Sequence, residues 1–142
     1  PAMNAEQIAL VQSSFAKVQP ISEQAAALFY GRLFELAPQV RPLFKEDLTD
    51  QGRKLMLMLA MITSKLNQLE TLVPTAQALA KRHVAYGAQA AHYAVVGQAL
   101  LDTLQKGLGD EFTPEVQAAW TSAYSTLSAV MIDAAAQPSG SA

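Results

Sequence analysis

The sequence predicts an all-α protein with a single domain. Apolar residues recur at three- and four-residue spacing through six segments. No segment keeps the two-residue alternation of a strand, and there is no Asn-Gly hairpin and no internal repeat. Helix punctuation separates the segments, with Pro20, Pro38, Pro42 and Pro114 near starts and Gly87 and Gly109 near ends. At 142 residues and 51% hydrophobic composition the chain can bury one substantial core, but hardly two.

Asn4 is placed to cap a first helix, and Gln7, three residues on, completes a capping-box pattern. Ile8, Val11, Phe15 and Val18 form its buried stripe. A second helix is expected from about Glu23 to Leu36, with Phe29, Tyr30, Leu33 and Phe34 close together. The stretch Pro38 to Phe44, with its two prolines, reads as a short, tight turn of helix. Lys45 to Asp50 is a polar connector, with Asp50 as the expected cap of the next helix. A third helix, from about Gln51 to Glu70, presents Gln51, Leu55, Met58, Ile62, Leu66 and Leu69 on one side and Leu57, Leu59 and Met61 on another. Apolar on two sides, it is expected to lie between layers.

The fourth segment, Leu72 to Gly87, aligns Leu72, Ala76, Leu79 and His83 on one face, with Lys81-Arg82 just before the histidine. A loop, Ala88 to Ala91, leads to a fifth helix starting near His92, with Tyr93, Val96, Gly97, Leu100, Leu101, Leu104 and Leu108 inward. Thr113 and Pro114 are an N-cap and a first helical position for the sixth, whose inner face runs from Val116 through Trp120 and Leu127 to Met131. The composition of the last residues suggests a domain over 1–133 and a flexible tail over 134–142.

Net charge is −2, and the ten Lys and Arg residues are spread along the chain, which leaves no footprint for nucleic acid or for an anionic membrane. The absence of Cys excludes disulfides, thiolate metal sites and covalent haem attachment through Cys-x-x-Cys-His. The longest apolar run, Leu55 to Ile62, is eight residues, too short to cross a bilayer. No basic region followed by an apolar core opens the chain, so a cytoplasmic protein is expected.

Taken singly, Tyr30, Phe44, Gln51, Leu55 and His83 each have an ordinary structural explanation as packing, capping or core residues. Together, in their order and spacing, they resemble the globin family. The blocks that carry the resemblance are LFYGRLFELAPQVRPLF (Leu28–Phe44), QGRKLM (Gln51–Met56), AKRHVAYG (Ala80–Gly87), AAHYAVVGQALL (Ala90–Leu101) and AAWTSAY (Ala118–Tyr124). The chain resembles bacterial single-domain globins such as Hell's Gate globin, and the globin half of flavohaemoglobins.

The resemblance implies a three-on-three helical sandwich around a b-type haem (iron protoporphyrin IX). His83 matches the proximal iron ligand and Phe44 the phenylalanine that wedges against the haem face. Tyr30, Gln51 and Leu55 match the distal positions that line the ligand pocket. Tyr93 matches the tyrosine that supports the proximal histidine in flavohaemoglobins, and Lys54 a position that reaches a haem propionate in some relatives. Fifteen residues after Trp120, where flavohaemoglobins place a glutamate behind that tyrosine, this chain has Ala135. The strong carboxylate push on the histidine, and the peroxidase-like chemistry that depends on it, are therefore not expected. The short connector after Phe44 leaves no room for the extra small helix of animal globins.

Imidazole is a good axial ligand for haem iron. A Tyr hydroxyl and a Gln amide can both donate to O2, which gathers negative charge on ferrous iron, while CO gathers far less. The expected function is therefore reversible, high-affinity O2 binding, with NO and CO as further ligands and an open sixth position in the ferrous state. In the ferric state water, hydroxide or the Tyr30 phenolate are the candidates. The alternatives are an NO dioxygenase served by a separate reductase, a gas sensor, and a haem-free interaction module. The expected assembly is a monomer or a weak homodimer.

Overall fold

The computed structural model describes residues 3–44, 47–85 and 90–136. Six α-helices account for most of them: α1 (Ala5–Val18), α2 (Ser22–Leu36), α3 (Leu48–Ser64), α4 (Leu69–Ala85), α5 (Ala90–Leu108) and α6 (Pro114–Ala136). No strand occurs among the described residues. None of the described helices is long and apolar enough to cross a membrane.

The caps follow the local chemistry. Asn4 Oδ1 accepts from the Gln7 amide at 2.7 Å, and Gln7 Oε1 accepts from the Asn4 amide, closing the expected capping box. Thr113 Oγ1 accepts from the Val116 amide ahead of α6, and Gly109, at φ +58, turns the chain out of α5 as only glycine does without strain. The cap of α3 is Asp47, whose carboxylate accepts from the Thr49 amide at 3.0 Å. Asp50, the expected cap, sits inside the first turn, where its carboxylate meets Arg53 and Lys54.

The third helix is shorter than its apolar pattern suggests. It ends at Ser64, turns at Lys65, passes through a 3-10 turn at Leu66–Gln68 and restarts as α4 at Leu69. In its last turn the Thr63 and Ser64 hydroxyls donate back to the carbonyls of Ala60 and Met61. Gln12 Nε2 then takes up the Thr63 carbonyl at 2.9 Å. α4 consequently begins three residues before the expected Leu72 and carries Pro74 within it. α5 starts at Ala90, so His92 lies in its first turn, and Gly87 and the first two residues of the expected loop fall outside the described residues. α6 runs on to Ala136, with Ala134 buried, past the expected boundary at 133; residues 137–142 lie outside the described residues.

The main core joins α1, α2, α5 and α6 through Val11, Phe15, Leu33, Leu104 and Trp120. A smaller one, Ala76, Ala80, Met131 and Ala134, seals α4 to α6, with Leu79 and Tyr93 against it. α3 packs on α2 and α1, but has scarcely any direct packing with α4. It is therefore a boundary helix rather than one buried between layers. Leu57 is 66% exposed, and only Gly52, Ile62 and Thr63 are fully buried in it.

Candidate functional site

The site is built where α2, α3 and the turn between them meet. A Cβ on Gly52 would stand 2.8 Å from the Ala26 Cβ, so the two helices cross at a distance only glycine permits. That crossing sets Tyr30 beside Gln51. The Tyr30 ring is 5% exposed, and its hydroxyl donates to the Gln51 backbone carbonyl at 3.5 Å, a long and weak bond. Burial pushes the phenol up to about 12, against a smaller opposing pull from the Gln51 side chain, so Tyr30 is a neutral donor at ordinary pH.

Aromatic rings wall the tyrosine on three sides. Phe29 and Phe44 meet it edge-on at 5.0 and 5.5 Å between centroids, and Phe34 stacks at 6.2 Å. A 3-10 turn at Pro38–Leu43 delivers Phe44, which also meets Phe34 edge-on at 5.4 Å. Arg41 holds this corner. Its guanidinium lies 5.1 Å over the Phe34 ring, and Nη1 donates to the Phe44 carbonyl at 3.2 Å. Leu55, one turn beyond Gln51, is half-buried and lines a small apolar cavity with Phe29, Met56, Leu59 and Leu100.

The second half of the site lies on α4. His83 is half-buried in its last turns, and Nδ1 stands 2.7 Å from the Leu79 carbonyl. A carbonyl only accepts, so the neutral ring carries its proton on Nδ1 and its lone pair on Nε2. Tyr93 packs against the Ala76 and Ala80 face of α4, the face to which His83 belongs by register. Tyr124 Oη donates to the Tyr93 carbonyl at 2.6 Å, and a Cβ on Gly97 would meet the Tyr124 ring at 2.7 Å. Burial raises both phenols, with Tyr93 adding to the rise at Tyr124. Lys54 is exposed, with its ammonium 3.5 Å from Asp50.

The structure thus brings Tyr30, Gln51 and Phe44 into one cluster, with Leu55 beside it, and sets His83 and Tyr93 on the α4 side. Sequence reasoning grouped Phe34 with Tyr30 without giving it a role in the site, and missed Arg41, Gly52 and Tyr124. Only Phe34 left a readable signal, an i,i+4 spacing from Tyr30 that makes helical rings neighbours.

This donor set suits one kind of metal. Among the described residues no group of three or more His, Cys, Asp or Glu side chains is placed to hold an ion. A bare ion needs three or four such donors, whereas an iron already held in a macrocycle needs a single axial imidazole. His83, half-buried and with its tautomer set by the Leu79 carbonyl, fits a haem.

Comparison with known proteins points the same way. The family model described as Globin matches residues 27–131. The chain is 32% identical over 136 residues to a flavohemoprotein of Pseudomonas putida, covering 93% of this chain and 35% of the relative. It is 29% identical over 131 residues to a flavohemoprotein of Vibrio cholerae, covering 90% and 33%. The chain therefore spans about a third of the length of these relatives. Among solved structures, an engineered carbene transferase built on a candidate nitric oxide dioxygenase of Rhodothermus marinus superposes with TM-score 0.87 at 27% identity, covering 96% of this chain and 95% of that one. A bacterial globin from Campylobacter jejuni superposes with TM-score 0.81 at 25% identity, covering 93% and 96%.

Proposed function

Since the chain belongs to the globin family, whose members are gas-binding haem proteins, we propose that it holds haem b through His83 and binds O2 reversibly and tightly. NO and CO are further ligands. The observation that carries the reading is the His83 ring, with Nδ1 engaged by Leu79 and the Nε2 lone pair as the metal donor. Held by His83, the haem would supply ferrous iron able to bind diatomic gases. The residues of this chain supply the rest. Phe44, Phe29 and Leu55 exclude water, which strengthens polar contacts within the pocket. The Tyr30 hydroxyl and the Gln51 amide are the donors toward a ligand that gathers negative charge, so O2 is favoured over CO.

The test is the visible spectrum of the purified protein, reduced and then exposed to O2 and to CO. A five-coordinate ferrous spectrum that converts to stable oxy and CO forms supports His83 as the sole protein ligand. A six-coordinate ferrous spectrum without added gas counts against the distal reading. No haem band after reconstitution removes the functional reading.

A second reading is favoured by the flavohemoproteins among the relatives and by the Rhodothermus marinus neighbour: oxidation of NO by O2 to nitrate. Each turnover consumes one NO, one O2 and one electron, so a reductase must supply the electron. Steady NO consumption with NADH and an added flavin reductase would favour catalysis. Its absence, with a long-lived oxy form, would favour storage or delivery of O2.

A further inference from the structure

A larger cavity than the one beside Leu55 lies between the end of α3, α4 and α6. It measures about 130 Å³ and is walled by Ile62, Leu66, Leu72, Ala76, Leu127 and Val130. Among the site residues described above, none of Tyr30, Phe44, Gln51, Leu55, His83 or Tyr93 lines it. Two polar side chains reach its wall. The Thr126 hydroxyl already donates to the Ser122 carbonyl at 2.9 Å, and Glu70 is exposed and stands at the rim. Pro74, within α4, denies the Glu70 carbonyl its helical partner, so this rim lacks one of the bonds that restrain the helix. Water in such a space would need two to four polar partners, and apolar cavities of ~150 Å³ stay dry and take up benzene. Filling the space restores contacts that its wall atoms lack on the empty side.

The place of the cavity gives it a consequence. α4 packs mainly on α6, and the cavity interrupts that interface. Further along, the same interface is closed by Ala76 and Ala80 against Met131 and Ala134. Ala76 thus belongs to the cavity wall and to the closed seam. It precedes His83 by seven residues on the same face, roughly 10 Å along the axis, with no proline between them. A shift of α4 at Ala76 therefore moves the His83 ring. We propose that the cavity is an effector site for an uncharged aromatic or alicyclic molecule of benzene size, read out at His83 through α4. Its binding is independent of the haem reading above, and its effect rests on that reading. The wall sets the ligand class: a polar group would lose its water against aliphatic side chains, and a carboxylate would also face Glu70. The occupant favours the position of α4 seen here over one in which α4 closes onto α6, and that difference is what lets it act at a distance. A gas on the iron acts on the same helix through His83, so the two affinities must change each other by one factor.

Fluorobenzene, followed by fluorine NMR on the haem-reconstituted ferrous protein with and without CO, tests this. It should bind and raise Tm by about 3–6 °C at ten times its Kd, while fluorobenzoate should not bind. Its Kd should differ at least about fivefold between the two ferrous forms, and saturating fluorobenzene should change CO affinity by that same factor. Ala123→Leu fills the cavity from α6, so it should abolish binding and itself raise Tm. Val73→Phe fills it from α4 and serves if α6 does not accept the leucine. No binding, binding that survives both filling variants, or one Kd for both ferrous forms would overturn the proposal. A chain that takes up no haem would remove the function proposed above. Fluorobenzene binding lost in Ala123→Leu, with amide shifts spreading from residue 76 to 83, would then still support the site and its route. Shifts that stop at Ala76 would count against the route.

Discussion

Tyr30 has a nearly inaccessible ring, and its hydroxyl reaches the Gln51 carbonyl only at 3.5 Å. A hydroxyl so weakly held loses little by turning to a better acceptor, which is the property wanted in a distal donor. Tyr30→Phe should therefore speed O2 release about tenfold, the equivalent of one hydrogen bond of ~1.4 kcal/mol. Gln51→Leu should also speed release, and stopped-flow O2 displacement by CO measures both. If neither change speeds release, the distal account fails. The same residue carries a pH signature. Its folded pKa, raised by burial to about 12, lies above the ordinary 10, so its stabilising contribution is complete below pH 10 and is lost as pH rises toward 12. The two-unit difference corresponds to roughly 3 kcal/mol, and urea midpoints at pH 9 to 12 should fall less steeply for Tyr30→Phe than for the parent chain.

At the scale of elements, the crossing of α2 over α3 decides the site. Gly52 admits the Ala26 methyl, and without that approach Tyr30 and Gln51 would sit further apart. Gly52→Val should cost about 1–3 kcal/mol through overpacking. It should also speed O2 release as Tyr30→Phe does, although no donor is removed. Normal release kinetics in a folded Gly52→Val protein would show that the crossing does not set the donor geometry. The start and stop of α3 mark the limit of what its sequence makes legible. Its existence followed from the apolar spacing. Its cap is Asp47, whose carboxylate takes the Thr49 amide, and its end is Ser64, beyond which the apolar pattern runs on through a 3-10 turn into α4.

For the molecule as a whole, one buried polar contact joins the chain's two ends. Trp120 Nε1 donates to Ser14 Oγ at 2.8 Å, and Ser14 in turn donates to the Leu10 carbonyl, tying α6 to α1 within the core. Ser14→Ala would leave the indole N–H buried without an acceptor and should destabilise by about 1–3 kcal/mol. The double variant Ser14→Ala with Trp120→Phe should lose less than the sum of the single changes, as thermal denaturation would show.

Local rules sufficed for the helices, the capping box at Asn4, the turn that carries Phe44, and the histidine set at the end of an apolar stripe. Each depends on residues within a few positions of one another, and the 3.6-residue period and the caps act at that range. The order and spacing of Tyr30, Phe44, Gln51, Leu55 and His83 were likewise readable, because a family resemblance is a property of the chain. Only the tertiary structure decided that α3 lies at a boundary with Leu57 exposed. It alone placed Arg41 on the aromatic corner and joined Tyr124 to the Tyr93 carbonyl. These depend on which helices meet and how closely. Steric fit between residues far apart in the chain sets that, as at Gly52 with Ala26 and Gly97 with Tyr124, and no local period encodes it.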